Sequence, residues 1–418
     1  TTIDVGAGGF TDALSNANTA ATQFNWLQDD TGPTMTITAS QGADGFTSND
    51  ATLSLTFTSN EATSNFAVGD ISVSNGAISS FAATSTTVYT ATFTPTADGA
   101  TTIDVGATYT DAAGNANTAA TQFNWVQDDT KPTMTITAAQ GADGLTSNDA
   151  ALTLTFTSNE ATATFAVGDI SVSNCALSDF ATTSTTVYTA TCTATADGAT
   201  TIDVGAGGFT DAAGNSNTAA TQFNWLQDDT GPTMTITAAQ GADGFTSNDA
   251  AITLTFTSNE ATSNFAVGDI SVSNGALSSF AATSTTVYTA TFTPTADGAT
   301  TIDVGAGGFT DALSNANTAA TQFNWVSDLP DDPSITSSGT TSATEDSAYS
   351  YSITATDADD GSPNSNTITL ACTAGCAGNW LSLSDSGDGS GTLTGTPGDA
   401  NVGTTAVTLT ATDGDGGV

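Results

Sequence analysis

Histidine and arginine are absent from this sequence, and Lys131 is its single basic residue, against 43 aspartates and glutamates and a formal net charge of −42. Each absence removes a class of function. Nucleic-acid binding depends on Lys and Arg neutralising phosphates, so a chain this acidic excludes nucleic acid as a partner and repels anionic lipid headgroups. Without His there is no imidazole base, no metal-ligand triad of the zinc type and no Ser-His-Asp relay, which leaves carboxylates as the main acid or base groups. No apolar run approaches the ~18 residues needed to span a bilayer. Residue 1 opens inside a strand-like pattern rather than a signal peptide, so the expectation is a soluble piece of something longer, with no membrane insertion.

What is present is folded β-structure. Charged residues make up only 11% of the chain and hydrophobic residues an ordinary 38%, which is not the composition of a disordered acidic tail. Thr, Val, Ile and Phe fall in alternating runs such as Ala251-Ile-Thr-Leu-Thr-Phe-Thr257, the period-two signature of a half-buried strand.

Self-similarity organises the rest. The segment Thr22-Gln-Phe-Asn-Trp26 recurs ending at Trp125, Trp225 and Trp325, at spacings of 99, 100 and 100 residues. A unit of that length is a domain and not a solenoid rung. Each complete copy reads as a strand after a proline (33 to 39), a Gly/Asp turn, and strands at 52 to 58 and 70 to 74. A short segment at 78 to 81 and strands at 87 to 94, 101 to 106 and 121 to 125 follow. Seven short strands between Gly, Asn and Asp turns predict an antiparallel β-sandwich, so the fold class is all-β, a tandem array of immunoglobulin-like sandwiches set as beads on a rod. The boundaries fall at 33–127, 132–227 and 232–327, with a partial domain of two strands at 1–28 and a different module at 333–418. A lone hairpin is marginal at best, so residues 1 to 28 call for completion by upstream sequence or another chain.

The motifs Asp228-Asp-Thr-Gly-Pro-Thr-Met-Thr-Ile-Thr237, Leu254-Thr-Phe-Thr-Ser-Asn-Glu-Ala-Thr262, Phe265-Ala-Val-Gly-Asp-Ile-Ser-Val-Ser-Asn-Gly275 and Phe209-Thr-Asp-Ala-Ala-Gly-Asn215 keep their order in each complete copy. Residues 1 to 327 resemble the bacterial Ig-like repeats of giant surface adhesins. The last module carries Thr344-Glu-Asp-Ser-Ala-Tyr-Ser-Tyr351, Ala355-Thr-Asp-Ala-Asp-Asp360, Asn379-Trp-Leu-Ser-Leu383, Gly391-Thr-Leu-Thr-Gly-Thr-Pro397 and Thr410-Ala-Thr-Asp413. It resembles the dystroglycan-type cadherin-like domains found in similar surface proteins. Both resemblances imply extracellular structural modules rather than catalysts.

Cysteine usage points to the same compartment. Cys175 and Cys192 occur only in the second complete copy, where the third carries Gly275 and Phe292. Two coordinated replacements imply two side chains meeting across neighbouring strands, and a disulfide closing that loop stabilises by roughly 3 kcal/mol in the chain-entropy view. The alternative is two unrelated buried thiols. Cys372 and Cys376 are expected to close a small loop before Trp380. Zinc would need four convergent ligands, which two pairs in separate domains do not supply. Paired cysteines favour an oxidising, extracellular setting.

Calcium is the chemistry this inventory suits, because it takes about six to eight oxygen ligands from carboxylates, amides, carbonyls and water. In a sandwich of this connectivity three segments meet at one end: the linker, the loop between the second and third strands, and the loop between the last two. Asp29 and Asp30 are thus expected near Asn60, Glu61, Asp111, Asn115 and Asn117. The set recurs as Asp128, Asp129, Asn159, Glu160, Asp211, Asn215 and Asn217, and as Asp228, Asp229, Asn259, Glu260, Asp311, Asn315 and Asn317. Asp44, Asp50 and Asp98 are candidates to contribute from the preceding domain. The cadherin-like resemblance adds Asp328, Asp331, Asp332, Glu345, Asp346, Asp357, Asp359 and Asp413, groups that in cadherins share calcium between successive domains. The competing reading is that Asp-Asp-Thr-Gly-Pro is a polar turn and Phe-Thr-Asp-Ala-Ala-Gly-Asn an Asx-capped loop, since Asp and Asn favour such turns for backbone reasons alone.

The aromatic residues Trp26, Trp125, Trp225 and Trp325 read as core or junction packing rather than carbohydrate platforms, and Met35, Met134 and Met234 as core filler. Asp4, Asp104, Asp203 and Asp303 sit inside a strand, either solvent-facing or anchoring a loop. The functional expectation is a calcium-stiffened structural or adhesive stalk or filament module, at the cell surface or extracellular, from a long bacterial surface protein and not an enzyme. Its partners are neighbouring copies of itself or the rest of a longer chain, and a cell or abiotic surface. The rival is a carbohydrate- or surface-binding accessory region of a secreted enzyme. A Thr-rich binding face of the ice- or glycan-binding kind is set aside because Thr253, Thr255 and Thr257 mark one Thr strand per domain.

Overall fold

The computed structural model describes residues 1 to 357 and 368 to 413 and divides into two compact units, Thr1–Asp228 and Asp229–Val418. In the first unit, β1 (Thr2–Ile3) and β2 (Phe24–Asn25) pair antiparallel. The first complete repeat then adds β3 (Met35–Ala39), β4 (Phe46–Ser48), β5 (Leu53–Ser59), β6 (Ile71–Val73), β7 (Gly76–Ala83), β8 (Val88–Pro95), β9 (Gly99–Val105) and β10 (Phe123–Gln127). They form two sheets, ordered β3-β5-β8-β7 and β4-β10-β9-β6. Every pairing is antiparallel except β4 with β10, which is parallel. The second and third repeats build eight strands each in the same order, and both are likewise two sheets of four.

Alternation decides which face is core. Leu53, Leu55 and Phe57 of β5, Tyr89, Ala91 and Phe93 of β8, and Ile103, Val105, Phe123 and Trp125 of β9 and β10 all point between the sheets with Met35 and Ile37. Trp125, Trp225 and Trp325 are 0 to 1% exposed and lie at the centre of this packing. Strand β4 was not expected from sequence, which read residues 40 to 51 as a turn. Its reason lies in the core: Ser48 Oγ accepts the Trp125 indole N–H at 3.1 Å, and Ser147 and Ser247 do the same for Trp225 and Trp325. A buried indole N–H without an acceptor would carry its desolvation cost uncompensated, so the parallel strand supplies the partner.

The outer face of the first sheet corrects the sequence-based count of one Thr strand per domain. Register aligns Thr38 with Thr56 and Thr56 with Thr90, and beside that row Ser54 with Thr92 and Thr92 with Ser79. No carboxylate lies in β3, β5, β7 or β8. The Asp left unplaced inside the TIDVG strand is solvent-facing and accepts a cross-strand hydrogen bond from Gln, as in Gln122 Nε2 to Asp104 at 2.8 Å.

Both expected disulfides are formed. Cys175 and Cys192 lie diagonally across adjacent strands, Cys175 opposite Ala194 and Leu177 opposite Cys192, with Cα atoms 5.7 Å apart. The Gly/Phe pair elsewhere has a steric cause, because a Cβ on Gly275 would sit 2.3 Å from Phe292 Cζ. The phenyl ring of one copy thus fills the space that the sulfur bridge fills in another. Cys372 and Cys376 are also bridged.

In the last module Ser334–Ile335, Tyr349–Thr356, Ser390–Gly395 and Leu381–Asp385 make a four-stranded sheet, and Thr369–Ala374 pairs with Thr408–Thr412. Ile353, Ile368, Leu370 and Leu393 are at its core. Residues 1 to 28 form only the hairpin, so Ile3, Phe24 and Trp26 are 57, 62 and 53% exposed where Ile103, Phe123 and Trp125 are enclosed.

Candidate metal centres

Two carboxylate triads form in the first unit, Asp29 with Glu61 and Asp111, and Asp128 with Glu160 and Asp211. In each triad, one oxygen per residue lies within 4.8 Å of the others. The linker supplies the first residue, the turn after the second long strand of the first sheet the glutamate, and the long loop before the last strand the final aspartate. Asp111 and Asp211 are buried, each 4% exposed.

Asparagine braces each group. Asn115 Nδ2 donates to the Asp29 carbonyl at 3.0 Å and to Asp111 Oδ2 at 2.8 Å, while its backbone N–H donates to Asp111 Oδ1 at 2.8 Å. Asn215 repeats this on the Asp128 carbonyl at 2.7 Å and on Asp211. The Asx loop of the competing reading is therefore real, and it carries the carboxylate into the triad rather than away from it.

Electrostatics divides the members. Burial raises the Glu61 carboxyl above its ordinary range, and the charges of Asp29 and Asp111 add to it. Glu160 is raised by burial and then by Asp128 and Asp211, with a further push from Asp98. At Asp111 burial also pushes upward, but the Asn115 side chain and the backbone N–H groups of the loop outweigh it and hold the carboxyl low. Glu61 Oε1 is shut off from solvent and accepts no hydrogen bond. A buried oxygen beside two like charges is unfavourable as it stands and is what a cation would relieve.

In the second unit Glu260 and the buried Asp311 hold the corresponding positions, and Asn315 again donates to both Asp311 oxygens, at 2.8 and 2.9 Å. Asp228 is the last residue of the first unit, and its N–H donates to the Ser147 carbonyl. The second aspartate of each linker, Asp30, Asp129 or Asp229, is not part of a triad. The Asp129 N–H is instead held by Asp98 Oδ1 at 2.9 Å.

Several expected contributors have structural duties. Asn60 Oδ1 accepts the Thr34 N–H, and Asn117 ties down its loop through Gly106, Thr118 and Tyr109. Asp44 accepts both Asn124 donors, and Asp50 accepts Ser48 Oγ. Sequence reasoning missed Asn49, which reaches the loop of the next repeat, although the recurring Ser-Asn-Asp at 48 to 50, 147 to 149 and 247 to 249 was a readable signal.

In the last module no group of three acidic side chains converges among the described residues, so Asp328, Asp331, Asp332, Glu345, Asp346, Asp357 and Asp413 form no triad of the kind seen in the repeats. The Asp328 N–H donates to the Ser247 carbonyl, and the Asp346 N–H to that of Pro397. Glu345 is raised by a hydrogen bond shared with Asp399 and then by burial. Asp359 lies outside the described residues. A cavity of about 740 Å³ in this module is lined by Tyr349, Tyr351 and Trp380. The rings of Tyr349 and Trp380 meet edge to face at 5.6 Å, and the tyrosine hydroxyls are taken by Thr340 and Ser337.

Repeated two-sheet sandwiches, each carrying acidic loops, define a tandem Ig-like array. The bacterial Ig-like domain family matches residues 29–126, 128–226 and 228–327, and this chain belongs to it. Residues 332–418 match the family described as "Putative Ig domain". No curated protein is significantly similar in sequence. Among solved structures, invasin, a bacterial integrin-binding protein, is 15% identical with a TM-score of 0.32, covering 91% of this chain and 79% of its own. InvD of Yersinia pseudotuberculosis is 13% identical with a TM-score of 0.33, covering 70% of this chain and 97% of its own. The human desmocollin-1 ectodomain is 11% identical with a TM-score of 0.26, covering 97% and 81%. Likeness at this level carries no functional argument.

The family membership and the two disulfides place the chain outside the cell or at its surface, among binding and structural modules rather than enzymes. Among the described residues no helix is long and apolar enough to cross a membrane.

Proposed function

We propose that this chain is a segment of an extracellular stalk or filament whose successive domains are held in fixed relation by calcium at the linkers, from a longer surface protein that reaches a cell or abiotic surface. The observation that carries the reading is the composition of the triad. A linker aspartate meets a glutamate and an aspartate of the domain that follows, so one cation joins linker to domain. The donor set is entirely oxygen, it includes a solvent-shielded carboxylate oxygen without a hydrogen bond at Glu61, and its geometry comes from loops, which suits Ca²⁺ over the stricter Mg²⁺. With three carboxylates brought together and one basic residue in the chain, the counter-charge must come from solution. Small-angle scattering of the chain with calcium and then with chelator tests this. A maximum dimension that shrinks and broadens on chelation is expected, and an unchanged profile removes the metal from the account.

A second reading, adhesion to a hydroxylated solid such as a crystalline polysaccharide, is favoured by the carboxylate-free Thr rows across β3, β5 and β8. The right-handed twist of roughly 20° or more per strand works against a long flat match, which is why this reading stands second. Retention on cellulose or chitin that is lost in Thr56→Lys would promote it.

A further inference from the structure

The two triads of the first unit have the same ligands but different surroundings. Asn215, the brace of the second, is 5% exposed, and its Oδ1 accepts from Asn49 Nδ2 at 3.0 Å. Asn49 belongs to the preceding repeat, and its backbone N–H donates to the Ala213 carbonyl of the same loop at 3.2 Å. Because Asn215 Nδ2 also donates to the Asp128 carbonyl and to Asp211, every polar atom of this amide is engaged. Gly214, at φ 96°, turns the loop where Asn49 approaches it. The preceding repeat contributes a second hold: the two Asp98 oxygens accept the Asp129 N–H and Thr130 Oγ1, each at 2.9 Å. That contact fixes the linker on which Asp128 sits, and the Asp98 charge is felt at Glu160.

In the Asp29–Glu61–Asp111 group the Asn115 side chain is tied to the Asp29 carbonyl and to Asp111. We propose that the preceding repeat completes the cation site. Asn49 and Asp98 are positioning residues for Asp128, Glu160 and Asp211, and they make this group bind a divalent cation more tightly than the same three carboxylates would without them. The proposal rests on the calcium reading above and adds to it a direction of coupling. Ligands already held in place lose less freedom on binding, and by reciprocity the bound cation strengthens the docking of the preceding repeat through the same residues.

The test is calorimetric titration of the full chain with calcium chloride, using Asp111→Asn and Asp211→Asn to assign the two sites. Asn49→Ala and Asp98→Asn should each weaken the Asp211-dependent site by roughly 10-fold, the scale on which groups behind metal ligands act. The Asp111-dependent site should keep its affinity in both variants. Melting in chelator is the control for folding, and if Asn49→Ala lowers it, the exposed Asp98→Asn carries the test. Wild-type affinity at the Asp211-dependent site in both variants overturns the proposal while leaving calcium in place. No calcium uptake by the unsubstituted chain overturns both.

Discussion

Exchanging the core pair of the second repeat for that of its neighbours would separate the contribution of the disulfide from that of packing. In the first and third repeats a phenyl ring stands over a glycine, and a Cβ on Gly76 or Gly275 would lie 2.2 or 2.3 Å from its Cζ. In the second repeat Cys192 is fully enclosed and bridged to Cys175 across 17 residues of chain. Loop closure of that length is worth about 3 kcal/mol. For a domain of ~100 residues each kcal/mol moves the melting temperature by about 4–8 °C. Reduction should therefore lower the transition of this repeat by roughly 12–24 °C and leave those of the first and third repeats, which have no cysteine, unchanged.

Cys175→Gly with Cys192→Phe should restore the phenyl-on-glycine packing and make the transition indifferent to reductant. Cys192→Phe alone loses the bridge and also presses the ring against the Cys175 Cβ, an overpacking that costs ~1–3 kcal/mol more. Differential scanning calorimetry of the full chain with and without a phosphine reductant measures all three. If the single variant melts with the double one, the steric account of why Gly accompanies Phe is wrong.

Further expectations concern single contacts. Ser147→Ala leaves the Trp225 indole N–H buried without its acceptor at 3.1 Å, so the second repeat should lose about 1–3 kcal/mol in denaturant titration, whereas the exposed Ser178→Ala should be neutral. Glu61→Gln removes one of three convergent charges, so the first repeat should melt higher than wild type in chelator and lower in calcium, and the same sign in both conditions would count against a metal at Asp29 and Asp111. The backbone and side-chain N–H groups of Asn224 hold the Asp143 carboxyl below its ordinary value of 3.8. A depressed folded-state value contributes stability that is fully present above the unfolded value and lost as pH falls through the folded one. Asp143→Asn should therefore flatten the stability of the second repeat below about pH 4 in acid titration and leave the slope near neutrality unchanged.

Much of the fold was readable because its strands alternate. Leu-Thr-Phe-Thr and Val-Tyr-Thr-Ala-Thr-Phe can sit in a sheet in one way only if their apolar side chains are to leave water, since a one-residue slip would turn them all outward. The aspartates and glutamates of the triads were readable for another reason: they recur at linker and loop positions that a sandwich brings to one end. Phe46–Ser48 was not readable. Three residues between Gly45 and Asn49 are too few to show a period, and what makes them a strand is pairing with a segment about 80 residues away.

Composition and repeat by themselves determined the all-β class, the length of each repeat and the oxidising compartment, because these depend on residue types and on local periodicity. Tertiary structure decided which acidic residues meet. Asp29 joins Glu61 and Asp111 while Asp30 does not, Asn60 holds both the Thr34 N–H and Glu61, and Asn49 of one repeat reaches Asn215 of the next. These outcomes turn on loop direction and on hydrogen bonds between residues distant in sequence. Such contacts leave no periodic trace in the chain, because the same Asp and Asn are equally good at closing a turn and at holding a metal loop.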